Sequence, residues 1–99
     1  MIWSRDTFKG KIDIGVVDWV GEVFTVRPQY EVREFHITLD DIKGYKNCRI
    51  GMQLSRERVN VLDESFIGKK VEVWYFINGV VDKNSKIHNV LNCVDVKLL

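Results

Sequence analysis

A chain of 99 residues, 45% hydrophobic and 11% aromatic, holds one domain spanning 1–99 and no second core, and is too apolar to stay disordered. Fifteen Lys and Arg against fourteen Asp and Glu leave a net charge of +1, which excludes the broadly basic surface of a strong nucleic-acid binder. No run approaches the roughly 20 apolar residues that cross a bilayer, and the charged start around Arg5 and Asp6 lacks the apolar stretch of a secretion signal, so the expectation is a cytoplasmic protein with no membrane partner.

In chain order, Phe8, Ile12, Ile14 and Val16 share one parity against Lys9, Lys11 and Asp13, the pattern of a half-buried first strand. After Gly15 the apolar parity passes to Val17 and Trp19, which predicts a bulge beside the glycine. Residues 21–31, interrupted by Gly21 and Pro28, form a connection or a loosely paired hairpin. Phe35, Ile37 and Leu39 mark a second strand, residues 40–46 a turn, and Cys48, Ile50, Met52 and Leu54 a third strand. Ser55 is placed to cap a short helix reaching Ser65, with Val59, Leu62 and Phe66 near helical spacing and Gly68 ending it. Val71, Val73, Tyr75 and Ile77 form the inward face of a fourth strand, followed by a turn at Asn78-Gly79. A fifth strand runs from about Ile87 to Leu98. This order predicts an all-β, five-stranded Greek-key barrel with a short helix between strands three and four, the arrangement of the OB-fold. An SH3-like barrel is the rival, but it does not normally place a helix there.

Cys48 and Cys93 follow the apolar parity and are predicted to be buried free thiols. Together with His36 and His88 they match no zinc spacing. The carboxylate pairs Asp40-Asp41 and Asp63-Glu64 are chain neighbours, which do not converge on one point. No Gly-rich phosphate loop is present. The expectation is a binding protein with no catalytic residue, no metal and no cofactor.

Binding has two candidate surfaces. In OB proteins the groove lies over strands two and three and the loops joining strands one to two and four to five. That surface carries His36, Arg49 and Gln53, with Phe24, Arg27, Tyr30, Arg33, Lys83 and Lys86 from its loops and Tyr45 and Lys46 near the turn at 40–46. Rings interleaved with cations suit single strands, because cations follow phosphates while rings take bases. Trp19 belongs to the same loops, although the core is its favoured place. The second surface is the outward parity of the fourth strand, where Trp74 and Phe76 stand side by side. Such a pair serves a second copy of the chain, another protein or stacked bases, unless a loop or the N-terminal arm with Trp3 covers it.

The pieces Phe8-Lys9-Gly10-Lys11-Ile12, Arg33-Glu34-Phe35 and Ile67-Gly68-Lys69-Lys70-Val71-Glu72-Val73 resemble, in order and spacing, a family of short bacterial and phage proteins of unknown function. That family is similar to OB-fold single-stranded-DNA-binding proteins. The chain differs in its last hairpin, where Val81 to Lys86 replace the family's aromatic-Asn-Gly-Arg-aromatic run. The resemblance implies an OB-fold similar to single-stranded-DNA-binding proteins. With the loop aromatics and cations, the expectation is single-stranded DNA binding without sequence specificity, by a homo-oligomer whose self-docking widens the thin stability margin of a short chain. The alternative is an OB module that contacts protein instead, an adaptor or inhibitor in phage–host conflict.

Overall fold

The computed structural model describes residues 4–39 and 48–99, and the expected turn at 40–46 lies outside them. Six strands follow in order: β1 (Lys11–Val20), β2 (Phe24–Arg27), β3 (Tyr30–Leu39), β4 (Arg49–Ser55), β5 (Lys70–Val81) and β6 (Ile87–Leu98). They form one sheet in the order β1-β5-β6-β4-β3-β2, and an additional β1–β3 pairing closes five of them into a ring. Neighbouring strands are antiparallel except β4 and β6, which run parallel with Gln53 opposite Asn92.

Closure depends on β1 changing partners along its length. Its first part, Lys11 to Val16, pairs with β5, and its second, Gly15 to Val20, pairs with β3. Gly15 stands where the two pairings overlap, opposite both Val71 and Leu39. A Cβ there would lie 2.6 Å from the Thr38 carbonyl oxygen, so any other side chain would force the strands apart. The predicted bulge occurs slightly later than expected, between Val17 and Trp19.

Inside the ring, Val17, Phe35, Ile37, Leu54, Val71 and Val73 are almost fully buried. Burial of each such side chain contributes about 1.5–3 kcal/mol relative to exposure. Met52, Tyr75 and Cys93 complete the cluster, and Leu62 enters it from the segment between β4 and β5.

The first half of β1 is oriented opposite to its predicted parity. Ile12 stands across from Trp74 and Ile14 across from Glu72, whereas Asp13 and Gly15 stand across from the core residues Val73 and Val71. The Ile12, Ile14 and Val16 set therefore lies on the outer face. Phe8 precedes the strand and is buried on that same face against Trp74 and Phe76, at ring-centroid distances of 5.2 and 4.9 Å. The N-terminal segment thus adds a second apolar layer outside the ring. Covered on both faces, β5 is buried continuously from Val71 to Tyr75, a situation in which alternation no longer reports the inside.

Three other expectations are corrected. No α-helix forms between Ser55 and Ser65; two single turns of 3-10 helix stand there, Arg56–Arg58 and Glu64–Phe66. Arg56 has φ 57°, which no right-handed helix can propagate, and the β-branched Val59 and Val61 add little helical preference. Val59 and Leu62 are buried all the same. Of the two readings of residues 21–31, the loosely paired hairpin is the one found, with an irregular register in which β2 turns through Pro28 and Gln29 and Arg27 faces Tyr30. What is corrected is the strand number, six among the described residues rather than five. Finally, Asn78-Gly79 is strand, and the turn comes at Asp82 to Lys86. The Asp82 carboxylate there accepts the Asn84 and Lys86 amides, an Asx-type turn. The hairpin consequently extends past the ring, and Ile77, predicted to fill the core, is 50% exposed.

Candidate functional site

On the outer face of β3 and β4, cross-strand pairing sets side chains in three adjoining rows. Asp18, Thr38 and Arg49 make the first: the Asp18 carboxylate accepts two bonds from the Arg49 guanidinium, at 2.9 and 3.0 Å, and one from the Thr38 hydroxyl. The Arg49 bonds hold the Asp18 carboxyl below the usual carboxylate range, burial opposing them. Arg49 therefore lies on the predicted face but with its charge already matched.

The second row is Trp19 on β1, His36 on β3 and Gly51 on β4, each paired with the next through the backbone. The indole of Trp19, favoured for the core from sequence, is 42% exposed and lies against the His36 imidazole with ring centroids 4.6 Å apart. The β1 bulge brings it there: the skipped residue places Trp19 rather than Asp18 opposite His36. Gly51 has no side chain, so the far side of the imidazole opens onto a groove of about 270 Å³.

Glu34 and Gln53 open the third row, directly paired across β3 and β4. Gln53 donates to the Asn92 side chain and Asn92 donates to Asn78, at 2.9 and 2.7 Å, forming a ladder of amides across β4, β6 and β5. Glu34, His36, Gly51 and Gln53 floor the groove, and Asn89, Val90 and Leu91 of the projecting hairpin wall it. Sequence reasoning found His36 and Gln53 but missed Glu34, although it shares the strand face of His36 two residues away.

The remaining predicted residues separate. Arg33 is a structural residue, not a surface cation: it is buried and donates to the Leu62 carbonyl, tying down the segment between β4 and β5. Arg27 and Arg56 both lie over the Tyr30 ring, at 4.8 and 5.1 Å from its centroid, which gathers two cations at the β2–β3 turn. Phe24 is exposed on the β2 hairpin. Lys83 and Lys86 are exposed at the tip of the β5–β6 hairpin, beside Asp82, whose carboxyl is lowered first by the 2.7 Å contact with His88. Tyr45 and Lys46 lie outside the described residues.

Trp74 points away from the ring interior as its parity predicts, yet it is only 1% exposed, and Phe76 is half-buried. The buried Glu72 carboxylate accepts from the Trp74 indole at 2.7 Å and from Arg5. Phe8 packs on the ring, and the Lys97 ammonium sits 4.2 Å from its centroid. The N-terminal segment, one of the alternatives weighed for this face, has covered it, and Trp74 is no stacking platform. Cys93 is a buried free thiol pushed up to about 12 by burial, whereas Cys48 is half-buried rather than buried.

No helix among the described residues is long and apolar enough to cross a membrane. No protein-family model matches the chain, and no curated protein is significantly similar to it.

Proposed function

We propose that this chain is an OB-fold protein that binds single-stranded DNA in a sequence-tolerant manner across the β3–β4 face. The fold reading is supported by the ring order β1-β5-β6-β4-β3, with its one parallel pair and its return of β1 to β3. In that reading the β2 hairpin and the Asp82–Lys86 turn are the two loops that flank an OB groove.

The observation that carries the functional reading is the exposed Trp19 ring on the half-buried His36 imidazole, beside an open groove. Bases stack on such rings with little regard to sequence. Among the described residues cations are sparse there: Arg49 is matched by Asp18, Arg33 is buried, and the cations Arg27, Arg56, Lys83 and Lys86 remain. Binding should accordingly depend on stacking more than on counterion release. A labelled 30-nucleotide oligo-dT titrated at several salt concentrations tests this. The expected log–log slope is shallow, on the order of −2 to −3. No binding at low salt overturns the proposal.

A second reading, an OB module that contacts protein or a second copy of itself, is favoured by one observation. The projecting hairpin exposes Ile77, Val80, Val81 and Ile87, each by half or more, and neighbouring exposed apolar residues mark contact surfaces. Light scattering of the free protein distinguishes a homo-oligomer from a monomer.

A further inference from the structure

We infer that the groove contains a guanine-selective subsite, in which Glu34 and Gln53 read the Watson–Crick edge of a base stacked at the Trp19–His36 pair; this rests on the single-strand reading above. Glu34 sits in an unexpected place for a groove that receives a polyanion. Its side chain is exposed, and among the described residues no hydrogen bond or ion pair engages its carboxylate. It lies two residues from His36 on the same strand face, and Gly21 donates to its backbone carbonyl at 2.8 Å, bringing the end of β1 with Trp19 alongside. A carboxylate repels phosphates, so its useful partner is a base that presents donors.

The four bases differ sharply in what they offer a carboxylate. Guanine has two adjacent donors, N1–H and the 2-amino group, which match the two carboxylate oxygens. Adenine and cytosine each place one amino group beside a ring nitrogen lone pair, which a carboxylate oxygen repels. Thymine has a single N–H between two carbonyls. Bases splayed from a single strand are commonly read on this edge while they stack. Gln53, the cross-strand partner of Glu34, uses one Nε2 hydrogen on Asn92. Its second hydrogen remains to meet guanine O6, beside N1 on the same edge. One carboxylate and one amide thus complement all three groups of guanine and no other base equally.

The test compares oligo-dT with the same strand carrying one central guanine, adenine, cytosine or hypoxanthine, using the whole protein and the exposed-site variant Glu34→Gln. The expected result is about tenfold tighter binding of the guanine strand. Hypoxanthine, which lacks the 2-amino group, should lose most of that gain. Glu34→Gln should remove the guanine preference, bringing all the strands to similar affinity. Equal binding of all five strands, or a guanine preference that survives Glu34→Gln, overturns the inference and leaves single-strand binding standing. Binding of none overturns both.

Discussion

The indole of Trp19 rests on the imidazole of His36 at a centroid separation of 4.6 Å and an interplanar angle of 38°. The ring contributes little to the core, because 42% of the residue faces solvent. Trp19→Ala should therefore leave the melting temperature close to wild type while lowering oligo-dT affinity by about 1–3 kcal/mol, the usual worth of one base–aromatic stack. Fluorescence anisotropy and a thermal melt, run on the same preparation, give both numbers. A large drop in melting temperature with unchanged affinity would show that the ring supports the strand end instead.

Asp18 sets how much of the positive charge of Arg49 reaches a ligand. Asp18→Asn should release the guanidinium, tighten binding at low salt, and steepen the salt dependence by about 0.7 in log–log slope if one more phosphate is met. The stability cost should be small, because Arg49 is open to solvent and water screens the pair. The pH dependence follows from the lowered Asp18 carboxyl. Its stabilising contribution is full above the ordinary carboxylate value of the unfolded chain and is lost as pH falls through the lower folded value. An acid titration of the melting temperature should find the wild type losing that advantage over Asp18→Asn only at strongly acid pH.

Trp74→Ala should cost about 3–5 kcal/mol, a large share of the stability of a domain this size. Phe8→Ala should also destabilise the fold, because it uncovers the same ring from outside. Urea unfolding monitored by circular dichroism measures both. A Trp74 variant as stable as wild type would mean that the N-terminal segment does not hold this face closed.

The cysteines should separate by accessibility. Cys48 is half-buried and should react first with a thiol reagent, whereas Cys93, buried and with its thiol pushed up to about 12, should react only on unfolding. Two rapid equivalents from native protein would contradict this.

These contrasts indicate what was legible in the sequence. Alternation located β4 and the second half of β3, because each has one face in the ring and one outside, while the first part of β3 was read as connection. It misjudged the first half of β1 and the surroundings of Trp74, where Phe8 adds an apolar layer that no local period records. Trp19 was misassigned because a single skipped residue in β1 decides which side chain meets His36. Arg33 looks identical to a surface cation in sequence, and only the fold of residues 59–62 gives it a carbonyl to hold. The expected helix failed on the backbone of one residue, Arg56. His36 and Gln53 were found because their strand faces were read correctly.

The parallel junction of β4 and β6, where the described residues pair only Gln53 with Asn92, makes one seam of the ring shorter than the others. Fluctuations that open the ring should begin there, so backbone amides around 51–54 and 89–92 should exchange with deuterated solvent sooner than those between β5 and β1. The groove runs across this seam, with Gln53 on one side and Leu91 on the other. A ligand bound across it would act as a suture, slowing exchange on both strands and raising the melting temperature in proportion to its occupancy. The weakest line in the closed sheet would then be the one most sensitive to whether the protein is loaded.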